Sequence, residues 1–538
     1  MNLTSGRIAH GAIMVFLGNM LSMGLGFAIT VFSANSFGSS AEMDAFLIVA
    51  PLPLIAGQFA LSISLIALSP YYQRLLASHG VAEARAAAHP FMLTLIAISV
   101  LGSIALALEA APVARVLAPG FDTDRLERVT TFLRIAAIAV PFLVGMSVTQ
   151  TIANAHGSFV RGAMSRACMN ATAFVGLLSA AGAWGATGYF AGFSTAAALT
   201  FFWQYTETRA LARASFSWAN LRQTWRNVHA QLGWIAFIRT LAHSGEIYLL
   251  MIASLAGVGI VTIYGLSYRL AAIPLLLAAS FALALFPAQA EAEARDNKAR
   301  HDWLLWRGVS ALTLLGVGFG AVFFALADHL TIFLYEHGRM TPETCDQIAL
   351  TLRVLALGLF AISANNAIAN HFWSSGRART RIFWELIAIV ILLVSAWLFT
   401  RWWGAAGLAG AYIAEFIFLY LVGVFTATTL ALARRELWSA FKIISICGIS
   451  AFVARLILIS PQEFRQFQHW RQGALLFLEA AVLLIAMTGA LWLARNELLL
   501  EIFRRVRAHR FRFFPKGDPP DNHPKSDQRN TPAHQGRL

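Results

Sequence analysis

Charge is what this chain has least of. Only 13% of its 538 residues are charged, against about 25% in an ordinary soluble domain. With 58% hydrophobic residues and a mean hydropathy of +0.63, a water-soluble fold would expose large apolar patches. That excludes a soluble globular protein. Cysteine is scarce too. Cys168, Cys345 and Cys447 are scattered in or beside apolar stretches, and neither a disulfide framework nor a metal site can be built from them. Lysine is nearly missing, with four against 37 arginines. There is no GxxxxGK(S/T) phosphate loop, no HExxH zinc motif and no soluble segment large enough for an ATPase. The expectation is a protein without catalytic residues, cofactor or metal, drawing energy from ion gradients or an external partner.

What the chain does have is length of apolar sequence, in runs of roughly 20 residues that suit a bilayer. The runs cover residues 8–33, 43–69, 89–111, 130–155, 163–183, 186–206, 232–256, 258–285, 304–327, 346–372, 383–402, 405–431, 441–460 and 471–494. They lack the alternation of a membrane barrel. The expected fold is therefore an all-α polytopic membrane protein of about 14 transmembrane helices. Residues 11–33 are too long for the apolar core of a signal peptide and lead into further spans, so they read as the first helix.

The net charge of +14 raises the question of nucleic acid, but the cations sit in alternate loops. One set holds Arg74 and Arg85, Arg161 and Arg166, Arg209 to Arg226, Arg295 to Arg300, Arg377 to Arg381, and Arg434 with Arg435. By the positive-inside rule these loops and both termini are cytoplasmic. The tail adds Arg504, Arg505, Arg507, Arg510 and Arg512 before a Pro- and Asp-rich end. It is expected to lie on anionic lipids, at roughly 1 kcal/mol per cation, rather than on nucleic acid.

The chain also resembles itself. Residues 113–157 and 330–376 share a glycine turn (Gly120, Gly338), an acidic segment, a Leu-Arg pair entering a helix (Arg134, Arg353) and a closing glycine (Gly157, Gly376). Pro70 and Pro287 end the second and eighth runs alike. This suggests two parallel six-helix repeats, an arrangement in which transporters hold their substrate between the halves. The expected organisation is a lobe over 1–210, a linker over 211–231, a second lobe over 232–435, two further helices over 436–495 and a basic tail over 496–538.

FGSSAEMDAF (37–46), IANAHGSF (152–159), YRLAAIP (268–274), LALFP (283–287) and FLYEHGRMT (333–341) follow one another as in the MurJ/MviN family, which this chain resembles over roughly residues 5–495. The resemblance implies two lobes around a central cavity. It implies a flippase that carries a polyprenyl-pyrophosphate-linked saccharide across the bacterial inner membrane by alternating access. Arg269 falls where the family places a cavity arginine, and Asp44 matches its acidic residue near the outer end of the second helix. A dipole-stabilising helix start is the alternative reading of Asp44. The family's SRxLGFxRD pattern is here Ser22 to Thr30, with both arginine positions apolar. That departure favours a glycan other than lipid II, such as an exopolysaccharide repeat unit.

Spacing alone adds Arg239, His243 and Glu246, at i, i+4 and i+7 on one helix face. Either Arg239 joins Arg269 on the phosphates while His243 and Glu246 exchange a proton, or the three form a packing ion pair. Glu415 is a further ion-coupling candidate. Arg134 and Arg353 read as snorkelling residues. Rival readings are an ion-coupled drug antiporter of the same superfamily, and a scaffold that recruits glycan-assembly enzymes.

Overall fold

A computed structural model describes the backbone of residues 5–156, 158, 160–180, 184–208, 216–427 and 430–494. The side chains of residues 5–16, 160, 163, 180, 207, 230–239, 241–242 and 430–432 lie outside the description. The Arg239 side chain, the first part of the linker (211–215) and the basic tail, all singled out by sequence, therefore fall outside the description.

Every described element is helical. The order is α1 (Ser5–Phe37), α2 (Ala41–Val49), α3 (Pro51–Ile63), a π turn (Ser64–Leu68), α4 (Ser69–Ser78), α5 (Val81–Leu108), α6 (Ala110–Leu117), α7 (Thr123–Ala137), α8 (Val140–Ala155) and α9 (Val160–Ala180). It continues with α10 (Ala186–Thr208), α11 (Trp218–Ala256), α12 (Ile260–Ala294), α13 (Lys298–Tyr335), α14 (Pro342–Ser374) and α15 (Ala378–Ala427). Last come α16 (Leu430–Ile457), α17 (Pro461–Arg465) and α18 (His469–Leu493). Among the described residues, ten helical stretches are long and apolar enough to cross a membrane. α2, α3, the π turn and α4 follow one path and count once, as do α7 with α8. α15 also counts once, although its backbone breaks at Gly404 (φ 53°).

Chemistry sets these boundaries. Pro51 lacks the N–H that would continue α2, so it opens α3 instead. The side chains of Ser40, Asp122, Asn297 and Thr341 accept backbone N–H bonds at the starts of α2, α7, α13 and α14. Interior contacts use small residues, which let backbones approach in a medium with no hydrophobic driving force. Gly316 and Gly320 lie against the backbone of α14, where an added Cβ would come within 2.6 Å of Leu359 and Ala356 oxygens. Gly176 and Gly192 seat α9 on α10 in the same way. Large apolar side chains such as Trp402, Ile485 and Phe477 face outward instead, as lipid contact requires.

The N-terminal helices meet the later ones at one end of the bundle. Asn35 on α1 accepts from the Arg339 amide at 2.9 Å and donates to the Leu334 carbonyl. The Ser39 and Thr344 hydroxyls are 3.3 Å apart, and the Gly120 amide donates to Ser254 of α11 at 3.4 Å. Arg353, expected to snorkel, is held on α14 by Asp328 of α13.

Candidate functional site

Four of the later helices, α11, α12, α14 and α15, leave a cavity of about 370 Å³ whose opposite wall is Leu47 and Pro51. Apolar helices enclose an unusual density of charge there. Arg269 and Glu246 face it from α12 and α11, and Asn365 from α14. Arg381, Glu385 and Glu415 face it from α15. Charges at this depth are costly unless paired or wetted.

Arg269 sits on α12 one turn before Pro274, within the helix. Its Nη1 donates to the Thr30 hydroxyl of α1 at 2.5 Å, and its guanidinium lies 5.9 Å from the centre of the Phe46 ring. Among the described residues no carboxylate is within ion-pair distance of it. Thr30 stands at the last position of the Ser22–Thr30 stretch, where the family pattern has aspartate, so a neutral hydroxyl meets the guanidinium. Arg381 is treated differently. Its Nε donates to Glu385, one turn on, at 2.8 Å, and its Nη1 donates to Asn365 at 2.9 Å. Glu246 and Glu415 have no hydrogen bond or ion pair among the described residues, and both open onto the cavity. Tyr264 and Tyr268 line one wall with Tyr412, whose ring meets Tyr268 edge-on at 5.5 Å.

The sequence-selected residues divide accordingly. Arg269, Glu246 and Glu415 come together at the cavity. His243, one turn before Glu246, is half-buried and outside the lining. Asp44 is fully buried, away from the cavity, at the start of α12. It accepts from the Gly259 amide at 2.8 Å, the Thr262 amide at 3.0 Å and the Thr262 hydroxyl at 2.6 Å. Asp44 thus satisfies the orphan donors of a helix N-terminus, on α12 rather than on its own helix. Arg381, Glu385 and Asn365 were not anticipated as cavity residues. The i, i+4 spacing of Arg381 and Glu385 was the available signal.

Long apolar helices around a charged interior cavity define a polytopic membrane transporter. The chain belongs to the lipid II flippase MurJ family, which it matches over residues 33–494. The family comprises multi-pass inner-membrane lipid flippases, not enzymes. Among solved structures, "Lipid II flippase MurJ, inward closed conformation" superposes with a TM-score of 0.74 at 15% identity, covering 92% of this chain and 100% of that one. An inward-facing multidrug transporter of the MATE family gives 0.64 at 14% identity, with 80% and 99% covered. A transporter from Pyrococcus furiosus, described as having a binding pocket of reverse polarity, gives 0.56 at 13%, with 81% and 96% covered. These likenesses are of fold. No curated protein matches the chain in sequence.

Proposed function

We propose that this chain flips a polyprenyl-pyrophosphate-linked saccharide, lipid II-like or an exopolysaccharide repeat unit, across the inner membrane by alternating access, with Arg269 on the diphosphate. The observation that carries the reading is a guanidinium facing an interior cavity with a hydroxyl, and no described carboxylate, as its partner. A diphosphate supplies the negative charge that such a site otherwise lacks. Arg381 offers a second cation if Glu385 releases it, and the tyrosine wall suits the faces of sugar rings. Arg239 is a further candidate for the phosphates.

Glu246 and Glu415 are the candidates for ion coupling, with His243 as a neighbour on α11. Asp44 fits a different task from substrate contact: it joins α2 to α12 where the two halves close. The working layout is fourteen helices, comprising six-helix lobes over 1–210 and 232–435, a linker over 211–231 and two helices over 436–495. Both termini and the tail over 496–538 are cytoplasmic in this layout, the tail resting on anionic lipids near glycan-assembly enzymes.

Glu246 and Glu415, two cavity glutamates with no ion pair among the described residues, favour a second reading, an ion-coupled antiporter. Proteoliposome flipping of labelled lipid II and of a simpler polyprenyl-pyrophosphate glycan separates the two. We expect movement of at least one lipid, reduced about 100-fold or more by Arg269→Ala and partly restored by Arg269→Lys. No movement of either lipid by folded protein under an imposed potential, with export of a cationic dye instead, would establish the antiporter.

A further inference from the structure

We propose that His301, Asp302 and His371 form a binding site for a divalent transition metal of the zinc class, at the end of the bundle where α12, α13 and α14 meet. His301 and Asp302 stand near the start of α13, and His371 in the last turn of α14. One nitrogen of each histidine and one carboxylate oxygen of Asp302 all lie within 4.8 Å of one another. The two imidazoles stack with centres 4.4 Å apart and planes at 27°.

Both histidines are 3% exposed. Nδ1 of His371 is buried with no hydrogen-bond partner, an omission that native interiors rarely tolerate. The nitrogens of His301 are flanked: Nε2 lies 2.9 Å from the Ser374 hydroxyl and Nδ1 lies 3.7 Å from a Glu293 oxygen. Metal-bound histidines are oriented through their second nitrogen by such partners. Asp302 and Glu293 supply two negative charges beside a dication. Arg377, six residues after His371, donates to the Thr426 carbonyl and stacks over Phe372.

Two imidazoles and a carboxylate suit zinc and its first-row neighbours rather than magnesium or calcium. Ligands about 2.1 Å from a tetrahedral zinc lie about 3.4 Å apart, so atoms within 4.8 Å of one another need to close by at most about 1.4 Å, within reach of side-chain rotation. A bound ion would tie α13 to α14 beside the end of α12. The site does not depend on the flippase reading, because it lies outside the cavity.

The test uses purified full-length chain in detergent, stripped with a chelator and titrated with Co²⁺, then with Zn²⁺. We expect about one equivalent of Co²⁺ with the visible bands of tetrahedral coordination, displaced by Zn²⁺. His371→Gln should weaken binding about tenfold or more and abolish the bands. Asp302→Asn, at a half-buried position, should weaken it comparably and decides the matter should His371→Gln fail to fold. Absence of the bands in the parent chain, or equal affinity in parent and folded variant, would overturn the proposal.

Discussion

Asp44→Ala should loosen the closed end of the bundle rather than disable a binding site. In the parent chain the Asp44 carboxylate accepts three hydrogen bonds from the first turn of α12, at 2.6 to 3.0 Å, in a fully buried position. Each bond to a charged acceptor contributes about 1.5–3 kcal/mol, and each buried donor left without a partner costs about 1–3 kcal/mol. Opening this end lets water reach the same groups, so only part of that sum separates closed from open. A difference of about 3 kcal/mol corresponds to a shift on the order of 100-fold in the equilibrium. The assay is disulfide trapping between Ser39→Cys and Thr344→Cys, whose parent hydroxyls are 3.3 Å apart, in a background lacking the three native cysteines. Asp44→Ala should sharply reduce the trapped fraction, and Asp44→Asn, which keeps one acceptor oxygen, should reduce it less. Unchanged trapping together with lost transport would refute the reasoning and return Asp44 to the substrate.

Other consequences are equally direct. Gly338 has φ +63°, and a Cβ there would lie 2.2 Å from the Asn35 carbonyl oxygen, so Gly338→Ala should cost about 2–3 kcal/mol in unfolding stability. Gly102→Ala, with open space around it in α5, should be neutral or stabilise by up to about 1 kcal/mol. The His156 ring lies 2.8 Å from the Tyr72 hydroxyl. Burial first, and the Arg85 charge second, hold its pKa below the ordinary 6.5. The fold thus prefers neutral His156: that contribution is complete above pH 6.5 and is lost as pH falls through the lower folded value. Thermal melting should show a loss of stability on acidification that is smaller in His156→Gln, and an identical loss in the variant would remove this residue as its source.

Much of the fold was legible because lipid imposes a length rule that composition can report. The break at Gly404 falls between two apolar runs read separately as 383–402 and 405–431, and the glycine turn at 38 marks the end of α1. The finer anatomy was hidden. Proline at 51 starts a helix rather than ending a span, and α17 is a short surface helix with no apolar signature. Arg353 illustrates a general blind spot: snorkelling and pairing look alike in sequence, and only the approach of Asp328 from α13 separates them.

The site was legible one residue at a time and not as a set. Periodicity places Arg239, His243 and Glu246 on one face of α11, but a helix face is wider than the slot it presents to a cavity. Glu246 reaches the opening while His243, one turn away, does not. Arg269 was found because its neighbours Tyr268 and Pro274 carry a family pattern. Arg381 and Glu385 were passed over as part of a basic loop run, since nothing local shows that α15 carries them back against α12. The histidine pair at 301 and 371 was invisible for the same reason: 70 positions apart in sequence, the two meet only because α13 and α14 run antiparallel and end together. What sequence loses here is the assembly of side chains from different helices, and a cavity of four helices is made of little else.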